Sequence, residues 1–390
     1  MAISRRVTEF MQAASWIRRM FEQGNELRRI HGPENVFDFS LGNPDLEPPR
    51  AFQEALEAVV HDPTPGLHRY MSNAGFPDAR ARVAARVAET HAVDPEADGV
   101  VLTVGAAGAL NVALKALLDP GSEVIVLAPY FPEYRFYIDN HGGKMVVVPT
   151  DARFDLDVDA VAAALTPATR AVIINSPNNP TGRVYAQARL DALGRLLDER
   201  APDATLITDE PYRRVVYDGM DPGSVLRATP RSMVATSFSK DLGLAGERIG
   251  YLAVHPGHPD RRAMLAAAVF ANRTLGFVNA PALMQRVIAR MPDVSVDVPT
   301  YAARRRLLLD GLRDAGYDCV TPEGAFYLFP RAPLPDDLAF ISAALEERLL
   351  VVPGAGFGTP GYFRISYAVP TETIVRAIPA FKRARERVLG

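Results

Sequence analysis

The sequence predicts an α/β protein: a large domain built on a mainly parallel, seven-stranded sheet, with a smaller α+β domain beside it. Two observations carry that expectation. Seven apolar, largely β-branched runs (VVLTV, EVIVLA, KMVVV, AVIIN, TLITD, MVATS and IGYLAV) follow one another between Gly99 and Val254. Helical stretches at Ala107–Leu118, Leu156–Leu165 and Ala186–Arg200 separate several of them, and near-continuous apolar strands punctuated by helices indicate a sheet covered on both faces. The length supplies the second domain, because 390 residues exceed what one hydrophobic core usually organises.

Composition narrows the classes of function. Hydrophobic residues make up 48% and charged residues 23%, as in an ordinary globular chain. A net charge of −3, from 43 basic and 46 acidic residues, gives no electrostatic footprint for nucleic acid or an anionic membrane. One cysteine, Cys319, rules out an intramolecular disulfide and a thiolate metal cluster, which suits a reducing compartment. Charges at Arg5, Arg6, Glu9, Arg18 and Arg19 interrupt the N-terminal stretch, so it reads as neither signal peptide nor membrane span, and a cytoplasmic location is expected.

Taken in order, Val7, Phe10, Met11, Ala14, Ile17 and Phe21 recur at helical spacing and predict an amphipathic packing arm. FDFSLGNPDLEPP then reads as a short strand entering a turn at Gly42, where a ligand could approach the backbone closely. This turn is taken as a domain boundary: residues 49–284 form the large domain, and 1–48 with 285–390 the small one. A helix is expected from Arg50 to Val60, then an irregular loop through Arg80 in which Tyr70 has no obvious core. Past 284, a helix over Tyr301–Ala315 leads to short strands near Tyr317–Val320, Ala325–Phe329, Leu349–Val352 and Tyr362–Ala368, with a helix at Asp337–Arg348.

In parallel sheets, ligands collect at the carboxyl ends of the strands. Four such ends carry chemistry here. VVLTV runs into Gly105-Ala106-Ala107, whose amides would open a helix and suit an anion. AVIIN is followed by SPNNPTG with Asn179, TLIT by Asp209-Glu210-Pro211-Tyr212, and MVATS by Ser237-Phe238-Ser239-Lys240. The chain has only four lysines, and Lys115, Lys144 and Lys382 have plain structural readings. Lys240, at a strand end among hydroxyls and with Arg248 nearby, suits a Schiff base beside a phosphate. Singly, each feature could be a cap, a turn or a packing residue. Together they point to one planar ligand.

With NNPTG, DEPY, SFSK followed eight residues later by Arg248, GNPD near the start and FRISYA near the end, the chain resembles the class I/II (aspartate aminotransferase-like) family of fold-type I pyridoxal-phosphate-dependent aminotransferases. The likeness runs over nearly the whole chain. It implies pyridoxal 5'-phosphate as cofactor, with Lys240 as its Schiff-base lysine and proton carrier and Asp209 paired with the ring nitrogen. Tyr212 and Asn179 would bond the ring's phenolic oxygen, and Phe131 would stack on the ring. Gly105, Ala106, Ala107, Ser237 and Arg248 would bind the phosphate, joined by Tyr70 from a neighbouring subunit, which implies a homodimer with shared active sites. Arg364 would grip the substrate α-carboxylate, with Gly42 and Asn179 beside it.

Departures from the family pattern bear on the substrate. Ala107 stands where one acid-reading branch has lysine, and Arg273 is offset by about one residue from the arginine another branch supplies from its partner. The resemblance therefore implies transfer of an amino group between an L-amino acid and a 2-oxo acid, with the donor open. Two alternatives stand beside it: a lyase, cyclase or oxidase outcome on the same fold and cofactor, and a serine acyl-enzyme using S-x-x-K at Ser237–Lys240. The glycines of LLVVPGAGFG lack dinucleotide spacing and read as a loop closing over the site. His255 and His258 lie in a proline-rich loop without a third ligand, so no metal is expected.

Overall fold

The computed structural model describes residues 3–13 and 15–390, without the side chains of residues 12–22. Twelve strands are described, in chain order: β1 (Phe37–Asp38), β2 (Val100–Thr103), β3 (Glu123–Ala128), β4 (Lys144–Pro149), β5 (Thr169–Asn175), β6 (Thr205–Asp209), β7 (Ser232–Ser237), β8 (Gly250–Val254), β9 (Tyr327–Leu328), β10 (Leu349–Leu350), β11 (Val352–Pro353) and β12 (Phe363–Ser366). Strands β2 to β8 form a seven-stranded sheet in the order β2-β8-β7-β6-β5-β3-β4. Only β8 runs antiparallel to its neighbours.

The alternation of side chains along each strand builds two cores. On one face Val124, Val126, Ala171, Ile173, Ile207 and Met233 pack against the helix Gly105–Leu117. On the other, Ile125, Val172, Ile174, Leu206 and Val234 meet the helices Pro77–His91, Gln187–Arg200 and Ala282–Arg290. The last of these helices carries Val287 and Ile288 into this core, past residue 284, where the expected large domain ends. A third core is rich in aromatics. Phe39, Phe326, Phe340, Phe363 and Phe381 gather there, together with Tyr212 and Val215 from the segment after β6. The small sheets β1-β10 and β11-β12-β9 lie in this part.

Two expectations need correction. Pro77 opens a helix inside the stretch read as a loop, with proline in the first turn, where its missing N–H costs nothing. Tyr317–Val320 is not a strand. Its carbonyls go to single donors, Asp318 O to the Arg331 N–H and Cys319 O to Arg313 Nη2, rather than to a ladder. Residues Gly354–Phe357 form a 3-10 turn that packs the Phe357 ring 4.9 Å from the Arg364 guanidinium. Of the N-terminal arm, helices span Arg5–Ala13 and Ser15–His31, and Phe10 meets Phe136 edge-on at 4.9 Å. Val7 and Met11 remain exposed. Ala14 and the side chains of Ile17 and Phe21 lie outside the described residues.

At the head of the sheet, Gly250 pairs with Thr103 on one side and Ser237 on the other. A Cβ on Gly250 would strike the Thr236 carbonyl and lie 2.8 Å from the Gly105 backbone, so only glycine lets the three segments close. Gly250→Ala should therefore lower unfolding stability by about 2 kcal/mol or more, the cost of overpacking against backbone that cannot turn away. Chemical denaturation compared with the wild type checks this.

Candidate active site

Strand register assembles the site. Asn175, Asp209 and Ala235 lie side by side at the ends of β5, β6 and β7. Beyond these ends lies a cavity of about 390 Å³, bordered by Asp209, Lys240, Asn179, Tyr212, Arg364 and Arg248. All the strand ends singled out in the sequence reach it.

Asp209 is buried. Its Oδ2 accepts a 2.5 Å hydrogen bond from the Tyr134 hydroxyl, while Oδ1 has no protein partner. Burial pushes the carboxyl up to about 7, against the Tyr134 bond, with the neighbouring Glu210 charge adding to the rise. The Asn175 amide donates to the Asp209 carbonyl at 2.7 Å, and Asn175 Oδ1 accepts from the Asn179 N–H at 2.6 Å, tying the two strand ends together. Lys240 Nζ donates to the Gly42 carbonyl at 2.6 Å. Burial first, then the charges of Arg364 and Arg248, bring its amine down to about 8.

Arg364 lies on β12 and is buried. It donates from Nη1 to Asn179 Oδ1 at 3.0 Å and from Nη2 to the Ser40 carbonyl at 2.6 Å, and its Nε has no partner. The ring of Tyr327 lies 4.7 Å from the guanidinium. Among the described residues no carboxylate pairs with it. Taking a charge out of water costs several kcal/mol, which neutral carbonyls and π-faces offset only in part. Such a cation is poised for an anion. The Tyr212 hydroxyl lies 2.7 Å from that of Tyr327, and burial drives its ionisation well above the usual range, so it stays a donor.

The end of the cavity at the first turn of the helix Gly105–Leu117 is equally defined. Gly105, at φ 79°, opens its helix, and Ala106 and Ala107 face the cavity with Ser237. Free amides of a first helical turn favour negative charge. Arg248, itself in the left-handed region at φ 53°, donates to the carbonyls of Ala245 at 2.9 Å and Val104 at 3.4 Å. Phe131 borders the cavity and meets Tyr134 edge-on at 5.6 Å.

Two named residues stand apart from the cavity of their own chain. Tyr70 is 90% exposed, on a loop that with Phe277–Ala280 borders a separate hollow of about 220 Å³. Arg273 is exposed at the end of helix Arg261–Thr274, against Phe270. The sequence reading missed Tyr134, Asn175, Tyr137 and Tyr327. Asn175 closes AVIIN, at a strand end already under scrutiny; Tyr134 follows EVIVLA in PYFPEY, the segment that also holds Phe131, whereas nothing in AFYLF marks Tyr327. Among the described residues no three metal-ligating side chains come together.

A lysine, an aspartate with an unpartnered oxygen and a helix N-terminus thus gather at the strand ends of a mainly parallel sheet, the arrangement of an α/β enzyme. The comparisons with known proteins are specific. The family model for aminotransferase class I and II matches residues 34–381. Aspartate/prephenate aminotransferase of Thermus thermophilus is 34% identical over 374 residues, 93% of this chain and 94% of that one. Aspartate aminotransferase of Thermotoga maritima is 34% identical over 350 residues, 88% and 90% of the two chains. An aminotransferase structure from Eubacterium rectale superposes with a TM-score of 0.95 at 39% identity over 99% of each chain. The chain belongs to the class I and II aminotransferases. Its cofactor is pyridoxal phosphate, and the S-x-x-K acyl-enzyme alternative falls with that membership.

The residues present fit the cofactor. An unpartnered buried carboxylate oxygen, an amine near its titration point and a helix N-terminus beside an arginine border one space of suitable size. The same arrangement costs stability when nothing is bound. The folded Asp209 keeps its proton up to about pH 7, while an unfolded aspartate loses it near 3.8. Between those values the unfolded state binds fewer protons, so stability falls as pH rises. Asp209→Asn should thus raise the Tm of the cofactor-free protein at pH 8, with the gain shrinking towards pH 4. Thermal melts at the two pH values check this; a gain independent of pH would contradict it.

Proposed function

We propose that this aminotransferase moves an amino group between an L-amino acid and a 2-oxo acid in two half-reactions, with Lys240 as the lysine that carries the cofactor and then the migrating proton. The convergence of Lys240, Asp209 and Arg364 on one cavity carries the reading. When bound, pyridoxal phosphate supplies an aldehyde that condenses with amines and a ring that accepts the electron pair left by α-deprotonation.

The chain's own groups do the rest. Asp209 Oδ1 would face the ring nitrogen and hold a proton there, its raised affinity suiting a shared proton. Tyr212 and Asn179 would donate to the phenolic oxygen. Phe131 would lie against the ring face. Lys240, brought down to about 8, is in part neutral near pH 7.5 and so serves as base and then acid at the substrate carbon. Arg364, already oriented by Asn179 and Ser40, would bind the α-carboxylate through its guanidinium edge, and the Gly42 backbone would border the same end. Gly105, Ala106, Ala107, Ser237 and Arg248 would hold the phosphate.

Tyr70 and Arg273 point outward from their own site, in keeping with a homodimer in which each enters the partner's cavity, Tyr70 at the phosphate and Arg273 at an acidic side chain. The names of the Thermus and Thermotoga relatives support aspartate as a donor. This chain's own wall offers Ala107, Leu41 and Leu110 there, a neutral surface, so any reader of a second carboxylate comes from the partner. A chain that sediments as a monomer would remove both assignments.

Titration of the holoenzyme with a panel of amino acids, followed by visible absorption, tests the whole reading. One or more donors should bleach the band, release an oxo acid without ammonia, and allow an oxo acid to restore it. Ammonia release would move the reaction to the lyase class instead. Lys240→Ala should lose the band and turnover. Arg364→Gln should raise KM for every amino acid by about a hundredfold, the loss of charge-assisted bonds to a carboxylate. An unchanged KM would remove its role.

A further inference from the structure

Behind the site lies a second layer of charge. Asp209 and Lys240 are each followed in sequence by an acid, Glu210 and Asp241, and both acids are buried. Successive residues of an extended segment point to opposite sides. With Asp209 on the 390 Å³ cavity, Glu210 faces away from it, onto a separate void of about 20 Å³ that Asp241 also borders. That void has room for about one water.

One helix holds both acids. Glu210 Oε1 lies 2.8 Å from His91 Nε2, and Oε2 lies 3.2 Å from Arg213 Nη1. Asp241 Oδ2 pairs closely with Arg86 Nη2. Arg86 and His91 both belong to the helix Pro77–His91, and their side chains are 10% and 0% exposed. This helix contributes no residue to the border of the larger cavity. Its side of the layer is completed by Asp293, which lies 3.6 Å from Arg86 and is bonded twice by Arg214. The backbone at both acids is pinned as well: Thr236 Oγ1 donates to the Glu210 carbonyl at 3.0 Å, and the Val296 N–H donates to the Asp241 carbonyl at 2.7 Å.

We propose that Arg86 and His91 are positioning residues for the transamination: from behind the sheet they hold Asp241 and Glu210, and so fix where Lys240 Nζ and the Asp209 carboxylate stand. The proposal rests on the roles given above to Lys240 and Asp209. Stability alone is a poor explanation of the layer, since replacing buried ion pairs by apolar residues is often neutral or stabilising. Its placement is specific, on the immediate neighbours of the two groups whose position matters most. Displacing a reacting group by about 1 Å can cost about a hundredfold in rate.

Electrostatics agrees with the geometry. Burial pushes Glu210 up, but His91 and Arg213 outweigh it and hold the carboxyl below its ordinary range. The resulting anion adds to the proton affinity of Asp209. The charged groups facing this layer are Arg86, Arg214 and Asp293 around Asp241, and His91, Arg213 and Arg227 around Glu210. His91 Nδ1 also lies 2.8 Å from Ser224 Oγ. Ser224 is buried and borders neither cavity, so this contact orients the imidazole and is not a nucleophile's.

The test uses two double variants, Arg86→Met with Asp241→Asn and His91→Leu with Glu210→Gln. Removing partners together leaves less uncompensated buried charge, so both are expected to fold. Each holoenzyme is titrated with pH while its visible band is recorded, with Tm and kinetics alongside. The midpoint should move by about half a pH unit or more in both. At the same time kcat should fall about tenfold with KM held within about threefold. A midpoint unmoved in one variant removes that pair from the proposal, and unmoved in both it overturns the proposal, whatever happens to Tm. A wild-type holoenzyme without a Lys240-dependent band would instead defeat the assignment of the site itself.

Discussion

A carboxyl group buried with one oxygen bonded and the other unpartnered is the constraint around which this molecule is arranged. Asp209 is held by Tyr134 on one side, and on the other it faces the cavity without a protein donor. An isolated buried carboxylate is costly, and the group meets that cost by keeping its proton to about pH 7. Oδ1 is left open to a partner supplied from outside the chain. Arg364 presents the same imbalance with opposite sign, a buried cation bonded only to neutral oxygens. The cavity between them is thus prepared for a ligand set that carries a cation at one end and an anion at the other.

The sheet makes that preparation possible. Parallel strands bring their carboxyl ends to one edge, so residues far apart in sequence become neighbours without long loops. Asn175 beside Asp209 beside Ala235 is a register fact, and the Asn175 amide uses it to bond across to the Asp209 carbonyl. Antiparallel β8 then inserts Gly250 between Thr103 and Ser237, which draws the helix at Gly105 up to the same edge. The third core supplies the remaining wall. Tyr212 reaches into it from the segment after β6, and β12 delivers Arg364 from the opposite direction.

These choices run against stability at neutral pH. Asp209 and Lys240 are both shifted towards their neutral forms by burial, so these two groups weaken the fold near neutral pH. The sheet beneath the site is packed on both faces, with buried ion pairs behind it.

By itself the sequence determined the class of fold and most of the residues that meet at the cavity. The seven apolar runs were readable because a strand buried on both faces must be apolar throughout. Lys240, Asp209, Asn179 and Arg364 were readable because their local motifs are short and contiguous. Tertiary structure decided what depends on distant partners. Tyr327 sits among aromatics that read as core, yet its hydroxyl meets Tyr212 and its ring lies on Arg364. Tyr134 gave no hint that it would bond Asp209. The helix Pro77–His91 was hidden in a stretch of turn residues, and its ionic contacts span 119 and 155 positions of chain. Local pattern records what a residue needs from its neighbours in sequence, whereas a buried charge is satisfied by whichever group the fold brings near.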